Sequence, residues 1–229
     1  MKRNQSGFTL IEIAIVLVII GLLLGGVLKG QELINSARVK NLAGDFKNIP
    51  VFIYGYQDKF KALPGDDSAA NTHVSGTNAS TGGTIGNGVI EGFWNSPIQT
   101  EESYLFWQHV RLAGLAPGPT TAGAADYLPT NASGGTIGIQ SGTTTAANVP
   151  MFAGPGTTNP IRGSYVICST GILGKFVKQL DTTMDDGNTA TGSMMAAPTT
   201  GYVVGTASAE ATATAFIDDA TTYTVCMGV

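Results

Sequence analysis

The stretch that decides the fold runs from Gly7 to Leu28 and reads GFTLIEIAIVLVIIGLLLGGVL. It contains 22 residues and a single charged side chain, Glu12. As a helix it would be roughly 33 Å long, about the thickness of a bilayer core. Ile and Val also favour strands, but strands of soluble domains are shorter, and lipid admits only helices or closed barrels. The sequence therefore predicts a helix long enough to span a membrane.

Two features distinguish this segment from a plain membrane anchor. Glu12 lies near the start of the apolar run, and a lone carboxylate costs roughly 2.5–3.5 kcal/mol at mid-helix and less near a helix end. A short polar leader, Met-Lys-Arg-Asn-Gln-Ser-Gly, precedes the run. Secretory signal peptides are cleaved after their apolar region, whereas cleavage at Gly7 would leave the apolar helix on the mature protein.

The segment GFTLIE, from Gly7 to Glu12, resembles the processing motif of type IV pilins and type II secretion pseudopilins. The resemblance implies that prepilin peptidase cuts after Gly7 and that the new N-terminal residue, Phe8, is N-methylated. It also implies that Glu12 pairs with the N-terminal amine of a neighbouring subunit in a filament. A simple transmembrane anchor is the alternative interpretation of the same residues.

The composition favours a loop-rich protein outside the cytoplasm. Of the 229 residues, 12 are Lys or Arg and 16 are Asp or Glu, which gives a net charge of −4, and 31 are Gly. Because an acidic domain does not offer a phosphate-binding surface, no nucleic-acid partner is expected. The low charged fraction of 12% suits an uncharged exterior surface.

The membrane orientation rests partly on the leader. Lys2 and Arg3 favour a cytoplasmic N-terminus by the positive-inside rule, although Lys29, Arg38 and Lys40 on the other side weaken that count. The resemblance implies a single-pass protein of the inner membrane before assembly, with a periplasmic or otherwise extracytoplasmic globular domain. After assembly it implies a pilus or pseudopilus filament.

The apolar pattern continues beyond Leu28 at steps of three to four residues, with charged side chains between, up to Phe60. We therefore expect one helix over residues 8–60, which Pro50 should kink. Its first part, 8–28, would cross the membrane or lie in a filament core, and its second part would cover a sheet. Three segments follow from this: a removed leader at 1–7, the helix at 8–60, and an extracytoplasmic globular domain at 61–229.

Within the domain, the pattern predicts a second helix over 101–113, capped by Gly114 and carrying a core aromatic group of Tyr104, Phe106 and Trp107. The pattern also predicts a strand over 161–170, a short helix with apolar residues from Ile172 to Met184, and a last strand over 221–227. Residues 68–100 are interpreted as loops with one hairpin, and residues 116–160 as exposed loops and short edge strands.

The two cysteines, Cys168 and Cys226, suit an oxidising exterior and allow one intramolecular disulfide, with two buried free thiols as the alternative. A disulfide loop near the C-terminus is common in the pilin family, and a Cys168–Cys226 bridge would resemble it. The predicted fold class is α+β. It comprises a long protruding N-terminal helix packed on a small antiparallel sheet, in the pilin-like lollipop form, with long loops and one C-terminal disulfide.

No catalytic constellation is recognisable in the sequence, so no enzymatic activity is expected. His73 lies in a polar loop and His109 on the second helix, and both are interpreted as surface or partly buried side chains. Two acidic clusters, Asp66-Asp67 and Asp181 with the segment 185–188, contain oxygen ligands of the type calcium prefers. Turn formation after a helix is the competing interpretation. By resemblance, major pseudopilins use calcium, but no cofactor and no metal ligand is assigned here.

The resemblance implies a structural function with three versions. The chain would be a subunit of a type IV pilus-like filament, a pseudopilin of a type II secretion system, or a minor pilin at a tip. Its partners would be identical subunits, other pilins or pseudopilins, and prepilin peptidase. Adhesion or ligand capture by the loops around 116–160 is a second class of function. A tethered enzyme is a third class, for which the sequence offers no residues.

Overall fold

The computed structural model describes residues 9–145, 148–154, 156–201 and 209–229. Its helices are α1 (Leu10–Phe60), α2 (Ala70–His73), α3 (Glu102–Leu112) and α4 (Gly174–Met184). Its strands are β1 (Ile137–Ser141), β2 (Met151–Phe152), β3 (Tyr165–Leu173), β4 (Met194–Pro198), β5 (Ala209–Glu210) and β6 (Thr222–Gly228). The chain divides into two compact units, one up to Arg38 and one from Val39 to Val229.

The long N-terminal helix is confirmed, since α1 runs without interruption from Leu10 to Phe60 and contains Pro50. The predicted start, Phe8, lies outside the described residues. In the first unit the large apolar side chains of α1 are exposed, including Leu10, Leu22 and Leu28. This part of the helix therefore has an apolar surface that its own unit does not cover.

In the second unit, α1 contributes one side of the main hydrophobic core. Leu42, Phe46 and Ile53 recur at helical spacing and are almost fully buried. They belong to the same apolar cluster as Ile139 and Ile167 of the sheet. Because the charged residues between them point elsewhere, this half of α1 is amphipathic, and the predicted packing of the helix against a sheet is confirmed.

The sheet has four strands in the order β1-β3-β6-β4, and every neighbouring pair is antiparallel. Alternate residues of its strands belong to different apolar clusters, one containing Ile167 and Val225 and the other containing Val166. Both faces of the sheet are therefore covered. The two-residue strands β2 and β5 pair in parallel beside it.

A disulfide joins Cys168 and Cys226, which lie directly opposite each other on β3 and β6. Tyr165 and Val229 exchange both backbone hydrogen bonds, so the alternation along the ladder places the cysteines at a non-hydrogen-bonded position. Side chains approach most closely at such positions. The predicted α+β class, antiparallel sheet and C-terminal disulfide are confirmed.

The second helix is confirmed over Glu102–Leu112, and its end shows how the sequence terminates it. The amide of Gly114 donates to the carbonyl of Arg111, and the amide of Leu115 donates to the carbonyl of Val110. These are the paired bonds of a Schellman motif, with Gly114 at positive φ. The aromatic group of α3 is buried in the core as predicted.

Several predicted elements are shifted or absent. The strand expected at 161–170 begins at Tyr165 and continues to Leu173, so Ile172 is a strand residue and not part of α4. An irregularity between Ser169 and Ile172 interrupts the pairing of β3 with β6. The apolar residues from Ile172 to Met184 are spaced as in a helix, so the sequence pattern did not show that the strand continues to Leu173. The hairpin expected at 68–100 is wrong, because these residues form α2 and turns, with no strand among them.

The two outer strands of the sheet also differ from expectation. β1 is an edge strand within 116–160, as predicted, but all five of its residues are buried, so this part of the segment is not exposed. β4, whose residues MMAAP are mostly buried, was not predicted from the sequence. A strand covered on both faces lacks the apolar–polar alternation that identifies a strand in a sequence.

Replacing both cysteines with alanine should lower the free energy of unfolding by about 4 kcal/mol on the chain-entropy model, because the bridge links residues 58 positions apart. Urea unfolding of the full-length protein in detergent, followed by Trp fluorescence, measures the change. Reduced wild-type protein is the matched control and should unfold close to the double variant. Equal stability of oxidised and reduced wild type would contradict a stabilising role for the bridge.

Candidate functional site

The start of α1 places Glu12 in a defined local structure. The Glu12 carboxylate accepts hydrogen bonds from the backbone amide of Thr9 (2.8 Å) and from its hydroxyl (2.7 Å). In return, the amide of Glu12 donates to the Thr9 hydroxyl at 3.4 Å. This reciprocal pair is a capping box, which satisfies donors at the N-terminus of a helix. Glu12 is therefore not a lone carboxylate in the single chain, although its side chain remains exposed.

From Ile13 to Leu28, the surface of α1 is apolar all round. From Leu10 to Leu28 the large aliphatic side chains are between about half and nine-tenths exposed. By length and composition, α1 is the one helix in the described part of the chain able to cross a membrane. A soluble monomer rarely exposes so large an apolar surface, so lipid or other protein chains must cover it. Gly7 and Phe8 lie outside the described residues.

His109 is more deeply buried than the surface or partly buried position predicted for it. It is fully buried on α3. Its Nδ1 accepts the amide of Gly65 at 2.9 Å, and its Nε2 lies 2.8 Å from the carbonyl of Thr77, so Nε2 carries the proton and donates. Burial lowers the pKa of His109 and keeps the ring neutral. The residue joins two loops to α3, and no sequence signal distinguished this role from an exposed helix position.

The position of Gly65 explains how the loop comes so close to α3. Gly65 has φ +94°, and a Cβ there would lie 2.5 Å from the carbonyl oxygen of Glu102. Only glycine tolerates both conditions. The chain therefore turns after α1 as predicted, and this turn places the Gly65 amide within hydrogen-bond distance of His109.

The first acidic pair, Asp66 and Asp67, is saturated by donors from its own chain. The buried Asp67 carboxylate accepts from the Tyr56 hydroxyl (2.7 Å), the Ala69 amide (2.9 Å) and His73 Nδ1 (2.7 Å). Burial raises the pKa of Asp67, but the hydrogen bonds from His73 and Tyr56 outweigh burial and hold that pKa below its usual value. His73 is partly exposed, as expected.

Asp66 binds the glycine-rich loop that follows α2. Its carboxylate accepts from the amides of Gly86, Asn87 (3.2 Å) and Gly88 (2.6 Å). With these donors, Asp66 fixes a loop and needs no cation to satisfy its oxygens. Of the two interpretations of this pair, the structure supports turn and loop formation.

Glu102 at the start of α3 is a buried acid of a different kind. It accepts the amide of Glu91 at 2.7 Å. Burial raises the pKa of Glu102 to about 7, the Glu91 amide lowers it in part, and the charges of Asp66 and Glu91 raise it further. Glu102 is therefore partly protonated at neutral pH, which the sequence did not indicate.

The second acidic cluster lies at the end of α4. One carboxylate oxygen from each of Asp181, Asp185 and Asp186 lies within 4.8 Å of the others. Burial raises the pKa of Asp181 to about 7, and the charges of Asp185 and Asp186 raise it further. Among the described residues, this is the only group of three or more His, Cys, Asp or Glu side chains close enough together to share one metal ion.

Comparison with known proteins supports the interpretation of the N-terminus. The family model of the prokaryotic N-terminal methylation motif matches residues 2–28. This motif is the signature of type IV pilins and pseudopilins, so the resemblance seen in the first residues is confirmed. The match covers the leader and the apolar part of α1. No curated protein and no solved structure matches the chain.

The burial of Glu102 predicts a pH effect on stability. Between the ordinary pKa of 4.5 and the raised pKa of about 7, the folded state binds a proton that the unfolded state has released. The contribution of Glu102 is therefore complete below pH 4.5 and is lost as the pH rises through about 7. Glu102→Gln keeps an acceptor for the Glu91 amide, so it should remove this loss, which is at most about 3 kcal/mol.

Urea unfolding of the full-length protein at a series of pH values measures this difference. Glu32→Gln is the matched control, because Glu32 is exposed on α1, and its profile should follow the wild type. Identical pH profiles for wild type and Glu102→Gln would show that Glu102 titrates normally in the fold.

Proposed function

We propose that this chain is a structural subunit of a type IV pilus-like filament. It is held in the inner membrane by α1, processed by prepilin peptidase after Gly7, and assembled through the apolar part of that helix. The observation that carries this proposal is the apolar surface from Leu10 to Leu28, which is exposed in its own unit and lies within the match to the methylation motif at residues 2–28. The role proposed is structural, without catalysis.

Glu12 would set the register between subunits. Its carboxylate is exposed at the start of α1 and is held in place by Thr9. Cleavage after Gly7 would create a charged amine on Phe8, and Glu12 would then lie four positions further along the mature chain. In an apolar filament core a carboxylate and an ammonium from neighbouring subunits attract strongly, because little water screens them. A displaced register would leave both charges unpaired.

A pseudopilin of a type II secretion system would use the same residues, so the N-terminal unit supports both kinds of filament equally. The partners proposed are identical subunits, other pilins or pseudopilins, and prepilin peptidase. Before assembly the Val39–Val229 unit would lie in the periplasm. The acidic net charge of the chain gives no support to a nucleic-acid partner.

Processing is tested by the intact mass and N-terminal sequence of the protein from its native membrane or sheared surface fraction. The mature chain should start at Phe8. Its mass should exceed that of the unmethylated chain from Phe8 to Val229 by about 14 Da, because one methyl group is added. A chain that still starts at Met1 in cells with an active prepilin peptidase would overturn the proposed processing.

Assembly is tested by Glu12→Gln, which removes the charge but keeps an acceptor for the Thr9 cap. The amount of the subunit in sheared filaments should fall at least about tenfold, as expected for a loss of about 1.4 kcal/mol per subunit contact. Glu32→Gln is the matched control on the same helix and should assemble as the wild type does. Wild-type assembly by Glu12→Gln, with normal processing, would remove Glu12 from the assembly contact.

A further inference from the structure

The end of α4 brings three carboxylates together in a way that the rest of the fold does not explain. Asp181 lies in the last turn of α4, and Asp185 and Asp186 follow its last residue, Met184. One oxygen from each carboxylate lies within 4.8 Å of the other two. The C-terminus of a helix already carries partial negative charge, so this arrangement concentrates charge of one sign.

Asp181 is the member that requires an explanation. It is fully buried, and within the described residues neither of its carboxylate oxygens has a hydrogen-bond partner. The amide of Gly187 is close enough to lower its pKa in part but does not form a hydrogen bond with it. A buried carboxylate without donors is costly whether it is charged or protonated.

The neighbours of Asp181 do not neutralise it. Asp185 accepts the amide of Met194 at 2.8 Å, and Asp186 accepts the amide of Asn188 at 2.8 Å. In the described part of the chain, none of the three carboxylates forms a salt bridge with Lys or Arg, and Lys178 on α4 pairs with Asp219 instead.

The acidic pair Asp66-Asp67 provides an internal comparison. Both of its carboxylates are filled by donors from the chain, including three amides on Asp66. Acid content alone therefore does not leave oxygens unpartnered in this fold. Among the described residues, Asp181 is the one carboxyl group with both oxygens buried and without a hydrogen-bond partner, whereas Glu101 lacks a partner at one oxygen.

We propose that Asp181, Asp185 and Asp186 bind a divalent cation that prefers oxygen ligands, with calcium as the best fit. Calcium–oxygen distances of 2.3–2.6 Å place ligands on opposite sides of the ion about 5 Å apart, so oxygens within 4.8 Å can share one ion. The described cluster offers carboxylates without His or Cys, which disfavours softer transition metals.

The bound cation would connect the end of α4 to the start of β4. Asp185 is held by the amide of Met194, the first residue of β4. Gly187, at φ +85°, turns the chain between these two elements. Binding would therefore stabilise the α4–β4 connection, and this inference does not depend on the proposed filament role.

Calcium binding is tested by isothermal titration of the full-length protein in detergent, after treatment with EDTA, with CaCl₂ and then separately with MgCl₂. One saturable site is expected, and Asp181→Asn should raise the Kd for calcium at least about tenfold, because it removes the charge of the buried ligand. Asp58→Asn, an equal charge change at an exposed position of α1, is the matched control and should leave the Kd within about twofold.

Thermal unfolding gives a second readout that separates a cation site from a merely repulsive cluster. In EDTA, Asp181→Asn should unfold at a higher temperature than the wild type, because repulsion is relieved. In saturating calcium the order should reverse, because only the wild type gains the ion. If Asp181→Asn does not fold, the exposed Asp186→Asn supplies the same comparison.

The absence of saturable uptake of either cation by the wild type would overturn the proposal. Equal calcium affinity in the wild type and the folded variant would overturn it as well. Uptake of calcium by a protein that does not assemble into filaments would support the site and leave the filament role to be judged on its own test.

Discussion

The fold depends on one helix that presents two different surfaces along its length. In the second unit, α1 turns a narrow apolar face, with Leu42, Phe46 and Ile53, towards the core that it shares with the sheet. Burial of such side chains contributes roughly 1.5–3 kcal/mol each relative to exposure. In the first unit the helix is apolar on every side from Ile13 to Leu28 and has no such core among the described residues. The second part of α1 is therefore buried by its own unit, whereas the first part has an apolar surface that its own unit leaves exposed.

The sheet is held by two kinds of constraint. Its two faces are covered by separate apolar clusters, so its strands gain from burial on both sides. The Cys168–Cys226 bridge adds a covalent link across the central pair β3–β6, at a position where side chains already lie close. The last strand, β6, thus lies between β3 and β4 instead of at an edge, and the C-terminal end of the chain is part of the core structure.

Buried acids in this fold differ in what their surroundings supply. Within the described residues, Asp67 receives three hydrogen bonds and has a lowered pKa, whereas Glu102 receives one and has a pKa raised to about 7. Asp181 has no hydrogen-bond partner within the described residues. The same functional group is therefore a loop anchor, a titrating group or a candidate ligand, depending on the donors around it. The exposed Glu12 resembles Asp67 in this respect, because its carboxylate accepts hydrogen bonds from the amide and the hydroxyl of Thr9 in its own chain.

The sequence by itself determined the N-terminal methylation motif, the length of α1, the limits of α3 with its Gly114 cap, and the last strand. These features depend on local spacing, capping and turn chemistry, which nearby residues specify. Only the tertiary structure decided the burial of His109, the strand β4, the boundary between β3 and α4, and the different fates of Asp66 and Asp181. Each of these depends on residues distant in the chain, such as the Gly65 amide at His109, because burial and hydrogen-bond partners arise only when those segments pack together.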